Sequence, residues 1–254
     1  MSKEERKTRS DKGLVMATRR DQYCIAWIAE MYAARADQIR KLLSRFPDKD
    51  KPFKQDGLMA ETTLRDHIAR WKQAGWIDFK RVLADEAGYA WVTKRGLQLV
   101  DLDTIYRAAE PASTRLHHIY AVNQLRLWMD YKYSWKSERR YRSEQFKKLK
   151  KGESLGAIPD GLITGKDGAV VAIEAEITAK KPADVFSKIA RLVRRYESTG
   201  LAFEAAFPTI WFYVPSQQIK TLIEDAIADL RDDAERGRVS VAIEEDLWAS
   251  RYHR

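Results

Sequence analysis

The chain has 254 residues, 46 Lys and Arg against 37 Asp and Glu for a formal net charge of +9, and a single cysteine. That length can bury sizeable cores without staples, while a lone Cys24 excludes an intrachain disulfide and, beside four scattered histidines, gives no zinc-ligand spacing. No apolar run approaches the roughly 20 residues of a membrane helix, and the opening MSKEERKTRS lacks the apolar stretch of a signal peptide, so a reducing, cytoplasmic setting is expected.

Residues 1–14 are polar and aperiodic and read as a flexible arm. A helix is predicted over 18–34, where Tyr23, Trp27 and Met31, with Cys24, Ile28 and Tyr32, fall at four-residue spacing on one broad apolar face. A second helix over 36–46 turns Ile39, Leu43 and Phe46 inward, and the Pro, Asp, Lys and Gly content of 47–57 reads as a loop. The third helix, 60–74, buries Leu64, Ile68 and Trp71 and stops at Gly75, a residue suited to a C-terminal cap. At about 100° per residue, Thr62, Thr63, Arg65, Asp66, Arg70 and Gln73 point away from that stripe. A strand over 76–82, a turn through Asp85, Glu86 and Gly88, a strand over 89–93 and a closing helix capped by Thr93 follow.

Three helices and a two-stranded hairpin are the parts of a winged helix-turn-helix. The phrase W-K-Q-A-G-W-I…V-T-K-R-G-L-Q-L, from Trp71 to Leu99, resembles the recognition helix, wing and closing helix of many prokaryotic winged-helix proteins, over residues 18–100. The resemblance implies a third helix that enters a major groove. Thr62, Thr63, Arg65, Arg70 and Gln73 are then the candidate groove contacts, with Lys80 and Arg81 on the wing meeting phosphates. The plain alternative is a small helical domain used for protein contacts.

Residues 101–113 read as a linker, after which Thr114 caps a predicted helix to Asp130 with Leu116, Ile119, Tyr120, Val122 and Leu127 as its apolar positions. His117 and His118 are expected to pack or hydrogen-bond at the junction. A basic strand over 135–144 comes next, with Glu138 and Glu144 as salt-bridge partners, then strands over 157–164 and 169–178 around a turn at Gly165–Gly168. A helix over 183–198 carries Val185, Ile189, Leu192 and Tyr196 inward, and Lys188, Arg191, Arg194 and Arg195 on its flank. TIWFYVP (209–215) is a continuous apolar strand suited to burial on both faces, followed by a helix over 216–235 and a last strand, VSVAIEE. Charge is uneven along this order: residues 1–100 hold 21 basic against 14 acidic side chains, 132–151 hold nine against two, and 220–246 hold four against nine. Such segregation suggests a side that faces a polyanion, with Arg139, Arg140 and Arg142 extending the footprint.

Potential chemistry sits on Asp160, Glu174 and Glu176. Alternation along 169–178 sends Val171, Ile173, Ala175 and Ile177 to one face and the two glutamates to the other, with Cα atoms about 7 Å apart. A short hairpin brings Asp160 toward Glu174. Three acids on one face repel one another and call for a compensating cation; magnesium takes carboxylate oxygens and water and can activate that water beside a phosphodiester. Pro159-Asp160 followed by Glu174-Ala175-Glu176 resembles the P-D…(D/E)-x-K signature of the PD-(D/E)xK nuclease-like superfamily, with Glu176 in the lysine position and Lys180, Lys181 or Lys188 as relocated cations. The resemblance covers about 114–246. It implies Asp160, Glu174, Glu176 and Lys180 as catalytic candidates, with Asp160 and Glu174 holding Mg²⁺ or Mn²⁺ if the site is active.

A winged helix, then T-R-L-H-H-I-Y-A-V-N-Q-L-R-L-W, then I-E-A-E-I-T resembles the replication-relaxation proteins of plasmids and integrative elements. The expectation is therefore an α+β protein with an arm (1–14), a winged-helix domain (15–100), a linker (101–113) and an α/β PD-(D/E)xK nuclease-like domain with a mixed central sheet (114–254). The expected role is a double-stranded DNA-binding accessory or regulatory protein for replication, mobilisation or transcription control, on an inactive nuclease-like scaffold. A Mg²⁺-dependent endonuclease directed by the winged helix, and an interaction protein for a relaxase or replication protein, are the alternatives. A homodimer stays open, since no coiled-coil heptad argues for one.

Overall fold

The computed structural model describes residues 15–46, 57–151, 155, 157–194 and 207–243. The arm (1–14), nearly all of the 47–57 loop, Arg195 and Tyr196 of the predicted 183–198 helix, and the end of the last strand lie outside the described residues. Thr18 and Asp21 form a reciprocal capping box that starts α1 (Arg19–Glu30), satisfying N–H groups that a helix start leaves unpaired. A two-residue strand β1 (Ala34–Arg35) leads into α2 (Ala36–Ser44). The predicted third helix is α3 (Glu61–Gln73), with Leu64, His67, Ile68 and Trp71 buried. Beyond Ala74, Gly75 takes φ +70°, its N–H reaches the Lys72 carbonyl, and the Trp76 N–H reaches the Trp71 carbonyl. This is a Schellman stop, and the positive φ is the reason a glycine stands there.

The hairpin is β2 (Ile77–Lys80) against β3 (Tyr89–Val92), antiparallel, and β1 adds to its other side in the order β1-β3-β2. Thr93 caps α4 (Lys94–Leu99) by accepting from the Gly96 N–H, as expected. The second half departs more from its sequence reading. A 3-10 turn at Ser113–Arg115, and not a Thr114 cap, precedes α5 (Leu116–Met129). The basic strand ends early. Strand β4 (Ser134–Ser137) gives way to α6 (Glu138–Lys148), because the Ser137 hydroxyl accepts from the Arg140 N–H while Glu138 and Lys147–Lys148 lie at the ends their charges favour. Ser137→Ala is expected to cost about 1 kcal/mol of stability, read as a lowered urea midpoint at unchanged m-value.

Strands β5 (Gly161–Thr164), β6 (Val170–Ala175), β7 (Ile210–Val214) and β8 (Val239–Ile243) complete a mixed sheet in the order β4-β5-β6-β7-β8. Pairing is antiparallel from β4 to β6 and parallel from β6 to β8, with Gly161 opposite both Ser137 and Ile173 and Ala175 opposite Tyr213. Helix α7 (Pro182–Val193) joins β6 to β7. The helix predicted over 216–235 is two, α8 (Gln217–Ala228) and α9 (Asp233–Arg236), since Asp232 caps a new turn.

The fold is α+β, with apolar layers on both faces of the mixed sheet. Leu162, Ala172, Ile210, Phe212 and Val214 pack under α7 and α8. Ile163, Ile173, Ala175 and Tyr213 face the other way and share a continuous core with α5 and the N-terminal helices. Helix α5 is buried on nearly every side, as a helix apolar all round must be. Polar groups tie it to the N-terminal half: Gln38 Nε2 on α2 donates to the Tyr120 carbonyl at 2.9 Å, and Asn123 Nδ2 on α5 to the Ala33 carbonyl at 2.8 Å. Among the described residues no helix is long and apolar enough to cross a membrane.

Candidate functional site

The basic side chains picked out in the sequence separate into two groups once their partners are visible. Helix α3 presents Thr62, Arg65, Asp66, Lys72 and Gln73 outward, with Thr63 half-buried. Arg65 is 77% exposed and only loosely paired with Glu61, at 3.8 Å. Arg81 is exposed at the end of β2, and Lys80, 63% exposed, stands 3.6 Å from Glu110. Between α2, α3 and the hairpin runs an open groove whose margin includes Arg40, Arg65, Lys72 and Arg81 over Ile68 and Phe79. Lys72 and Arg40 are additions to the sequence reading. Lys72 follows directly from helical periodicity, whereas Arg40 belongs to a different helix.

Arg70 leaves this face. Its guanidinium turns inward to Asp21 on α1, whose carboxylate is fully buried. Arg139, Arg140 and Arg142 ride on a helix and not on the expected strand, and each has an intramolecular partner, although Arg140 and Arg142 stay 51% exposed. Arg139 lies between the Tyr32 and Tyr106 rings and donates to the Ala29 and Arg107 carbonyls. Arg140 pairs with Glu30 at 3.1 Å, and Arg142 with Glu138. Glu138 and Glu144 are salt-bridge residues, as expected, to Arg115 and Arg142 and to Lys136 and Arg140 respectively. His117 and His118 also hydrogen-bond or pair at the junction, His117 facing Glu86 at 3.4 Å.

The second cluster lies where β5, β6, α5 and α7 meet. Asp160 precedes β5; its Oδ1 is 2.8 Å from His118 Nε2 and its Oδ2 accepts from the Ala175 N–H at 2.9 Å. Glu174, on the α7 side of β6, receives Lys188 Nζ at 2.7 Å. Glu176, just past the strand end, receives Lys180 at 2.6 Å and Lys188 at 3.4 Å. Strand alternation and helical phase are the cause: Lys188 sits near the middle of α7, over the β6 face that carries Glu174.

Burial and charge split the two central acids. Burial pushes Glu174 up, the charge and hydrogen bond of Asp160 push it further, and Lys188 only partly offsets them. Burial also acts to raise Asp160, but His118, Lys188 and the Ala175 N–H together hold it well below the usual carboxylate range. His118 is raised, since the Asp160 charge outweighs the effect of burial. One oxygen, Glu174 Oε1, is buried and meets no N–H or O–H donor.

A magnesium site gathers several oxygen ligands around one ion. Here the three carboxylates are already matched by His118, Lys180 and Lys188. Among the described residues no group of three or more His, Cys, Asp and Glu side chains is arranged to hold a metal ion. The residues present therefore do not fit the Mg²⁺ or Mn²⁺ that the resemblance implies, and Lys188 supplies the compensating charge. Comparisons of the chain with known family models, with curated proteins and with solved structures found no match.

Proposed function

We propose that the chain is a cytoplasmic, double-stranded DNA-binding accessory or regulatory protein of the replication-relaxation kind. In this reading α1 to α4 act as a winged helix and the five-stranded sheet is a PD-(D/E)xK-like scaffold without catalysis. The observation that carries it is the outer face of α3, where Arg65 and Lys72 stand exposed beside Arg81 at the hairpin. An exposed helix of this kind fits the B-DNA major groove, and flanking cations meet phosphates. Arg70, Arg139, Arg140 and Arg142 each have an intramolecular partner, which favours α3 and the hairpin as the surface that meets DNA.

A rival reading is a metal-dependent endonuclease, and it draws on Lys188, which lies 2.7 Å from Glu174 and 3.4 Å from Glu176, as its relocated lysine. Supercoiled plasmid incubated with the protein in Mg²⁺, Mn²⁺ or EDTA separates the two. The expected result is a salt-sensitive mobility shift that deproteinisation reverses, with the plasmid left supercoiled. Nicking that depends on the divalent ion and disappears in Asp160→Ala would install the endonuclease instead. No shift and no nicking, with a relaxase or replication protein retained in pulldown, would make the chain an interaction protein.

A further inference from the structure

With protein partners assigned to Lys136, Arg139, Arg140 and Arg142, the positive charge of the 132–151 segment collects where α6 ends. The stretch F-K-K-L-K-K, from Phe146 to Lys151, has four lysines and no acid. Lys147, Lys148 and Lys151 are exposed and form no ion pair among the described residues. The two glutamates of α6 are engaged elsewhere, Glu138 by Arg115 and Arg142 and Glu144 by Lys136 and Arg140. The helix dipole accounts for cations in the last turn, but its effect fades beyond that turn and gives no reason for Lys150 and Lys151. Packing gives no reason for Phe146. Its ring is 68% exposed, whereas Tyr141 on the same helix packs into the core under α7 and α8. Phe146, Lys147 and Lys148 leave the last turn in different directions and all three are exposed, so an aromatic ring and cations share the free end of the helix.

We propose that this end of α6 is a contact surface for single-stranded nucleic acid, with a base stacked on the Phe146 ring and neighbouring phosphates meeting Lys147, Lys148 and Lys151. An exposed ring among cations without ion pairs matches the two chemistries of an unpaired nucleotide, a π-face and a charged backbone. A duplex offers the phosphates but keeps its bases stacked on one another. A lipid surface calls for an apolar helix face, and Phe146 is the only large apolar side chain that α6 exposes. The surface is separate from the outer face of α3, so it does not rest on duplex recognition there.

The test is fluorescence anisotropy of the full chain with a labelled oligothymidine of about 12 nucleotides, a length within the usual span of single-strand sites. It is run on the wild type and on the Arg65→Ala, Arg81→Ala double variant, so that contacts at α3 and the hairpin are told apart from those at α6. Saturable, salt-sensitive binding is expected in both. In either background Phe146→Ala should weaken it on the order of ten-fold, the contribution of one stacked base, at unchanged melting temperature. Phe146→Trp should keep or tighten it. Lys147→Ala, Lys148→Ala and Lys151→Ala should each reduce the slope of log affinity against log salt by about 0.7, the single-strand value for one phosphate. An abasic strand of equal length keeps the phosphates, and it should bind more weakly and ignore Phe146→Ala. Matched DNA and RNA strands show which of the two the surface favours, and the Phe146 dependence supports the site with either. No saturable binding of the oligothymidine, equal affinity for the abasic strand, or indifference to Phe146→Ala would each overturn the proposal. Binding to phosphatidylserine vesicles that Phe146→Ala abolishes, with no binding of the strand, would turn this end of α6 toward a membrane instead.

Discussion

Arg65→Ala and Arg81→Ala are each expected to weaken duplex binding by about 1–3 kcal/mol, while Arg70→Ala leaves the binding surface intact and lowers stability instead. The three arginines look alike in the sequence, but their partners differ. Arg65 is 77% exposed and forms a surface pair with Glu61, the kind of interaction worth little in water. Arg81 is exposed at the hairpin. Arg70 reaches under the helix to Asp21, so its truncation leaves a buried carboxylate short of a counter-charge. Fluorescence anisotropy over a salt series separates these roles. Removing one cation that meets a phosphate should reduce the slope of log affinity against log salt by about one. Unchanged affinity and slope in the Arg65→Ala, Arg81→Ala double variant would remove α3 and the hairpin from the interface.

The legible part of this chain is what periodicity and local capping govern. Helix α3 is readable to within a residue because Leu64, Ile68 and Trp71 repeat on one stripe and Gly75 supplies a positive φ where the helix stops. Strand β7 is readable because TIWFYVP has no polar face to lose. The segment after Ser134 misleads for a physical reason: W-K-S-E-R-R-Y alternates enough to suit a strand, and only Ser137 as a cap followed by Glu138 marks the change to helix. Strand β1 is two residues long and exists through pairing with Tyr89 and Ala90, which no local pattern encodes. Partner choice is the least visible property. That Arg139 is held by two tyrosine rings, Arg140 by Glu30 and Arg70 by Asp21 depends on residues tens of positions away.

The same limit applies to the carboxylates. Sequence places Asp160 and Glu174 on adjacent strands and names lysines nearby, but it does not choose among them. The fold chooses Lys188 for Glu174 and shares Glu176 between Lys180 and Lys188. It also brings in His118 from α5, which the sequence treats only as a junction residue. A histidine preceding a helix's apolar run carries no mark of the acid it will face, so this pairing is out of reach of local pattern.

Asp21→Ala is expected to be the most damaging single change outside the apolar core, costing about 3–5 kcal/mol, the range for stripping one partner from a buried ion pair. Asp21 closes the α1 capping box and then serves α3. Its Oδ2 accepts from the Thr18 N–H and hydroxyl, both at 2.8 Å, and its Oδ1 accepts from the Trp71 indole at 2.7 Å and from Arg70. Loss of the side chain orphans a buried indole N–H and an arginine at once. Asp21→Asn should cost less, because Asn keeps an acceptor for Trp71 and Arg70, 32% exposed, can turn to water. Burial acts to raise the Asp21 pKa, but hydrogen bonds from His67, Thr18 and Trp71 outweigh it and hold the acid well below its usual value of 3.8. A folded pKa below the unfolded one means that the contribution is fully present above about pH 4 and is lost as pH falls toward the folded value. Urea unfolding of wild type and Asp21→Asn should therefore give stability curves that lie apart at neutral pH and converge under acid. Curves that stay parallel down the acid limb would show that the Asp21 charge contributes nothing and that its hydrogen bonds alone carry its effect.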